Sequence, residues 1–202
     1  MRLFLSLLFI GSSFISLDIH AWTFTARSGD QIELDWIEQH DLSQEEGVFI
    51  HAFMEAYKDF SNEQLGITDK YTFLKNAFQD VVEDHEKGDG YLLSAKIDGK
   101  VIGFASFKDT EHQNEVYISQ LAVDPRYWQL GLGKELVFSI FTIKKDTNRL
   151  VVIPRRINEV ARQFYAHLGF TVSEYMHPGY NPHKYIGYEW SKDVIPFTKN
   201  KF

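Results

Sequence analysis

The run Val116-Tyr117-Ile118-Ser119-Gln120-Leu121-Ala122-Val123 is apolar and strand-forming, and it stops at Asp124-Pro125. Gln129-Leu130-Gly131-Leu132-Gly133-Lys134 follows at once. Beyond it, Leu132, Leu136, Val137, Ile140 and Phe141 recur at helical spacing and predict an amphipathic helix. A strand, a proline stop, a glycine loop and a helix in that order constrain the fold strongly. The first amides of such a helix lack intrahelical partners, and with the helix dipole they form a cradle for a pyrophosphate-like anion. A Cβ in the loop would hold the anion away from the amides or clash in a turn that needs positive φ. Lys134 adds a point charge. A glycine pair of this kind also serves as a plain turn into a helix.

The surrounding pattern continues the layout. Leu150-Val151-Val152-Ile153 predicts a second buried strand, and Asn158 through Phe170 a second helix, with Asn158 as N-cap and Gly169 just past its C-terminus. Trp22–Arg27 and Gln31–Trp36 alternate as strands, and helices are predicted near Glu46–Asp59 and Lys70–His85. Tyr91–Ile97 and Val101–Phe107 flank Asp98-Gly99, a hairpin signal of type I′. Thr171–Met176 and Lys184–Trp190 read as two closing strands. The expected fold class is α/β (α+β): a mixed, mostly antiparallel sheet flanked by helices.

The N-terminus stands apart. Arg2 precedes an apolar run from Leu3 to Leu17, and Ile19-His20-Ala21 ends it with a small residue. This is the pattern of a signal peptide over residues 1–21, with one domain over 22–202. The run is shorter than the ~20 residues of a spanning helix, so the mature chain is expected to hold no stable membrane span. A retained anchor and a hydrophobic start to the domain are the alternatives. Cleavage implies a periplasmic or secreted protein, whereas an uncleaved leader implies a membrane-anchored or cytoplasmic one. The net charge of −7 disfavours a nucleic-acid partner and suits a cationic amine. The absence of cysteine excludes disulfides, a thiol nucleophile and thiolate metal sites.

The two blocks Val-Asp-Pro-x-Tyr-x-x-x-Gly-x-Gly-Lys (from Val123) and Asn-x-x-Ala-x-x-Phe-Tyr-x-x-x-Gly-Phe (from Asn158) resemble the GCN5-related N-acetyltransferase (GNAT) superfamily. Their order and separation match, and the resemblance covers about Val116 to Phe170. It implies a sheet splayed at an acyl-CoA site, acetyl-CoA as co-substrate with no metal, and transfer of acetyl to an amine acceptor by direct attack. By resemblance, main-chain groups of Leu121, Ala122 and Val123 hold the pantetheine arm and thioester. Gln129, Leu130, Gly131, Leu132, Gly133 and Lys134 hold the pyrophosphate, Asn158 touches the CoA arm, and Tyr165 is the general acid. A phenol with a reference pKa of about 10 is protonated at neutral pH and can protonate a thiolate. Tyr165 also reads as a core residue beside Phe164 and Leu168. Trp128 departs from the pattern, since relatives usually carry Arg or Gln there. A second reading is an exported acyl-CoA-binding module with little or no turnover.

The general base is not evident. Deprotonating a lysine-like amine at pH 7 costs roughly 4–5 kcal/mol. Tyr117, Ser119 and Gln120 occupy the first strand, and Ile153 the second, where relatives often place a Glu. Glu115 shares strand parity with Tyr117, although a solvated strand-end charge is the simpler reading; a water chain to solvent could also serve. His51 and Glu55 are four apart on a predicted helix, which fits a surface pair better than metal ligands. The loop with His177, Tyr180 and His183 lines an acceptor site or a homodimer contact in this fold, or is a plain polar loop. Phe53, Tyr57, Phe60 and Tyr71 read as core, with an acceptor-pocket lining as the alternative.

Overall fold

The computed structural model describes residues 21–36 and 42–192. Residues 1–20 of the signal peptide expected over 1–21 lie outside the described residues. The strands are β1 (Ala21–Thr25), β2 (Gln31–Trp36), β3 (Gly90–Ile97), β4 (Lys100–Asp109), β5 (Glu115–Val123), β6 (Arg149–Val152), β7 (Thr171–Ser173) and β8 (Gly187–Ser191). They form one sheet in the order β1-β2-β3-β4-β5-β6-β8-β7. Every neighbouring pair is antiparallel except β5 and β6. The turn between β3 and β4 has Asp98 at φ 50° and Gly99 at φ 74°, the two positive angles that a type I′ hairpin needs.

Helices α1 (Ser43–Ala56) and α3 (Lys70–Glu86) cover one face, and α4 (Leu132–Ile143) and α5 (Glu159–His167) the other. Leu132, Leu136, Val137 and Ile140 of α4 pack with Val116 and Ile118 of β5 in the larger core. Phe49, Leu74 and Phe78 pack with Phe104 and Ala122 on the opposite face. Burying both faces explains why β4 and β5 read as near-continuous apolar runs instead of alternating.

Three expectations shift. A short helix α2 (Asn62–Leu65) lies between α1 and α3; its signal was the capping box of Ser61 and Gln64. The first helix starts at Ser43, ahead of the predicted Glu46. The closing strands are shorter than predicted. A Cβ on Gly187 would stand 2.1 Å from the Tyr175 carbonyl oxygen, a backbone approach that only glycine permits at the start of β8.

Two irregularities position the site. Ser106 pairs with Gln120 but Phe107 pairs with Ile118, so Ser119 is the extra residue of a β-bulge in β5. Its hydroxyl donates to the Ser106 carbonyl oxygen at 3.0 Å and lies 2.9 Å from the Ser106 hydroxyl. Pairing of β5 with β6 runs from Glu115 opposite Arg149 to Ile118 opposite Val152 and ends there. Strand β5 continues to Val123 along β4, so the two parallel strands part beyond the bulge.

Candidate active site

The parting leaves main-chain groups without sheet partners. Asp124 N–H donates to the Ile102 carbonyl at 2.8 Å, and Val123 stands opposite Gly103 in the same register. Hydrogen-bonded and non-bonded pairs alternate along an antiparallel ladder. Ala122 therefore bonds to Phe104 of β4, while the amides and carbonyls of Leu121 and Val123 turn away from β4, toward the gap left by β6. Of the three residues expected to hold the thioester arm, Leu121 and Val123 face the gap and Ala122 belongs to the ladder. Trp128 reaches back into the same region, its Nε1 donating to the Val123 carbonyl at 2.6 Å.

The glycine loop follows directly. Asp124 caps the turn Pro125–Tyr127, accepting from the Arg126 amide at 3.0 Å and pairing with its guanidinium at 2.7 Å. Gln129 has φ 64° and Gly131 φ 92°, so the chain enters α4 through a left-handed turn. The first bond into the helix runs from Glu135 N–H to the Gly131 carbonyl at 3.1 Å, which leaves the amides of Leu132, Gly133 and Lys134 free of intrahelical partners. The two glycines differ in cause. Gly131 supplies the positive φ, with only Phe24 near an added Cβ at 3.7 Å, whereas a Cβ on Gly133 would stand 3.1 Å from the Phe164 ring. Lys134 is exposed on the first turn. A second cation, Arg27, arrives from the β1–β2 turn. Its amide donates to the Leu130 carbonyl at 3.2 Å, and its guanidinium lies 3.4 Å from the Gln129 carbonyl. No sequence motif flagged Arg27, since only tertiary packing brings that turn to the loop.

Tyr165 is buried on the inner face of α5, between Phe164 and Phe170. Its hydroxyl has no hydrogen-bond partner among the described residues, and burial pushes its pKa well above the ordinary phenol value. Tyr117, in the stretch of β5 still paired with β6, senses it electrostatically. Asn158 caps α5, accepting from the Ala161 amide at 3.0 Å, and its side chain also meets the Tyr57 hydroxyl. Burial raises Tyr57 to a pKa of about 12.

Glu115 is not a solvated strand-end charge. It is 2% exposed, accepts from the Thr110 hydroxyl at 2.8 Å, and is ion-paired with Arg149, which also holds Glu189. It is held between β5 and β6 at the end where they still pair, away from the parting. Ile153 is buried, and Ser119 and Gln120 are half-buried at the bulge. The Tyr117 hydroxyl lies 3.3 Å from that of Tyr180, and the His177 ring stands edge-on to Tyr180. His183 is exposed in the same loop. His51 and Glu55 do not pair: His51 Nδ1 lies 3.5 Å from Asp124, and Glu55 binds Lys58. Among the described residues no group of three or more His, Asp or Glu is placed to hold a metal ion, and no helix is long and apolar enough to cross a membrane. Phe53 and Tyr57 stack at 4.2 Å within the helical layer, while Tyr71 is exposed under Lys75.

Known proteins share this fold. The PaiA N-acetyltransferase of Thermoplasma acidophilum, solved in complex with coenzyme A, superposes with a TM-score of 0.64 at 20% identity, covering 79% of this chain and 98% of that one. The GNAT domain of S. lividans PAT superposes at 0.60 with 14% identity, covering 86% and 98%. The ribosomal-protein-S18-alanine N-acetyltransferase of Escherichia coli superposes at 0.51 with 18% identity, covering 78% and 90%. A 5-NmdU N-acetyltransferase of Pseudomonas phage PaMx11 is 32% identical over 84 residues, which are 42% of this chain and 59% of that protein. The chain thus spans about three-fifths of that relative's length. Residues 50–170 match the Acetyltransferase (GNAT) family, and the chain belongs to it.

Proposed function

We propose that this protein is an acyl-CoA-dependent N-acyltransferase that moves acetyl from acetyl-CoA to an amine by direct attack. The observation that carries the reading is the gap between β5 and β6. It exposes main-chain groups of Leu121 and Val123 and runs into the free first-turn amides of α4. An extended arm with amide groups fits the first, and a pyrophosphate fits the second. Acetyl-CoA supplies the activated acyl group when bound.

The chain's own residues then have distinct tasks. The Leu121 amide, turned into the gap, polarises the carbonyl under attack. The amides of Leu132, Gly133 and Lys134, with the charges of Lys134 and Arg27, hold the phosphates. Asn158 orients the start of α5, and Tyr165 holds a proton for the departing sulfur, because burial keeps its hydroxyl protonated. With Glu115 held away from the parting, the acceptor's proton leaves through the hydroxyl pair Tyr117–Tyr180 toward solvent.

Calorimetric titration of the purified protein with acetyl-CoA tests this. Saturable 1:1 binding, abolished by Gly131→Asp, is expected. At a hundred times Kd it should stabilise the fold by about 2.7 kcal/mol. A folded sample that ignores millimolar cofactor would remove the reading.

A second reading, an acyl-CoA-binding module with little turnover, is favoured by the Trp128 indole seated on the Val123 carbonyl. It predicts the same titration with no release of free CoA thiol across a panel of amines.

A further inference from the structure

We infer that the acceptor of this site is an amine that also carries an anionic group, a phosphate or a carboxylate, and that Arg155 with Lys184 is the receptor for that group. The inference rests on the acyl-transfer reading of the gap between β5 and β6.

Arg155 follows the end of β6 by three residues, on the side where β5 and β6 have parted. Its guanidinium lies 5.4 Å from the Phe73 ring centroid and 5.8 Å from that of Tyr185. One nitrogen, Nη2, donates to the Leu65 carbonyl at the end of α2. The other two, Nε and Nη1, are buried and have no hydrogen-bond partner among the described residues. Aromatic rings can balance part of the charge over the guanidinium plane, but they do nothing for N–H groups at its edge. Buried donors left unpaired are costly, and an oxyanion reaching that edge would satisfy them with charge-assisted bonds.

The surroundings sharpen the point. Elsewhere in this acidic chain several cations are neutralised. Arg126, Arg149, Lys58, Lys87, Lys96 and Lys108 each sit within ion-pair distance of a carboxylate. Around Arg155 the pattern inverts. Arg156 donates to the Pro182 carbonyl at 2.8 Å, Arg162 to the Arg156 carbonyl at 3.1 Å, and Lys70 to the Tyr57 carbonyl at 2.9 Å. Lys184 Nζ stands 2.7 Å from where a Cβ on Gly66 would be, next to the Leu65 carbonyl that holds Arg155. No carboxylate among the described residues lies within 4.0 Å of Arg155, Arg156, Arg162 or Lys184. Like charges gathered without counter-charges repel one another, and a bound anion relieves that.

The patch connects to the candidate active site through two contacts. Tyr185 packs edge-on against Tyr180 at 4.6 Å, and the Tyr180 hydroxyl meets that of Tyr117 just before the parting. Tyr57, in the field of Arg155, meets Asn158 at the start of α5. An acceptor spanning these aromatic rings would place its anion on Arg155 and its amine toward the gap.

The test compares three amines of similar length, n-butylamine, 4-aminobutyrate and 3-aminopropyl phosphate, by calorimetric titration into the protein saturated with CoA. Acetyl-CoA affinity is measured in parallel. One anionic amine is expected to bind at least tenfold more tightly than butylamine, and which one does so separates phosphate from carboxylate. Arg155→Gln should erase that advantage and leave acetyl-CoA affinity unchanged. Lys184→Gln, at an exposed position, should reduce it about threefold and carries the test should Arg155→Gln fail to fold. Equal affinity for all three amines in protein that binds acetyl-CoA overturns the inference and leaves the acyl-transfer reading standing. Loss of acetyl-CoA affinity in Arg155→Gln with the amine preference intact would assign the patch to the cofactor and also overturn it. Failure of the parent protein to bind acetyl-CoA removes both.

Discussion

The indole Nε1 of Trp128 donates a 2.6 Å hydrogen bond to the carbonyl oxygen of Val123, one of the main-chain groups turned toward the gap between β5 and β6. A side chain thus occupies an acceptor that an extended amide ligand would use. Trp128→Phe keeps the ring and removes the donor. It should tighten acetyl-CoA severalfold in a calorimetric titration. It should also lower unfolding stability by about 1 kcal/mol, the usual net worth of one hydrogen bond. Unchanged affinity would show that cofactor and indole share the two lone pairs of that carbonyl.

Tyr165→Phe should lower kcat by about 100-fold, the low end for loss of general acid catalysis, with acetyl-CoA affinity nearly unchanged. Burial holds the phenol protonated above its ordinary range. The kcat of the parent protein should therefore show no loss of the acid between pH 7 and pH 9. Steady-state kinetics across that range, with both proteins, check the pair of statements.

Asp124→Asn bears on stability through pH. The side-chain hydrogen bond from Arg126, then its backbone amide and charge, with His51 adding a smaller effect, hold the Asp124 carboxyl at about 2. The folded value lies below the unfolded one. Its stabilisation is therefore complete above about pH 4, and it is lost as pH falls from there toward 2. Arg126 is exposed, so solvent screening keeps the contribution small. Urea unfolding at pH 7 and pH 3 should show a difference between Asp124→Asn and the parent at the higher pH, shrinking at the lower.

Glu115→Gln should destabilise the fold by about 3 kcal/mol, because it leaves Arg149 half paired in a partly buried network. The kcat of the molecules that remain folded should not change. A loss of kcat in a fully folded sample would return Glu115 to the list of bases.

Gly133→Ala and Gly131→Ala separate two reasons for glycine within one motif. The first pushes a methyl to 3.1 Å from the Phe164 ring and should reduce thermal stability by overpacking. The second meets only the Phe24 ring at 3.7 Å, an ordinary contact, but holds alanine at φ 92°, a strain of about 1 kcal/mol. It should also weaken cofactor binding if the turn relaxes.

Much of this was legible in the chain. The hairpin at Asp98-Gly99, the stripe of α4 and the cap at Asn158 are local facts, written in residues only a few positions apart. Local backbone preference and helical periodicity therefore sufficed to place them. Three further features needed the fold. Glu115 looks like a surface carboxylate until Arg149, thirty-four residues away, is brought beside it. Arg27 joins the glycine loop only because the β1–β2 turn packs onto Leu130. Arg155 becomes an orphaned cation only when Phe73, Tyr185 and Leu65 close around it. Burial and charge pairing are properties of neighbours in space, and sequence spacing does not encode which distant residues become neighbours. The order of the main elements and the glycine turn into α4 were therefore determined by the sequence alone, while the burial and charge pairing of the residues around them were decided by the tertiary structure.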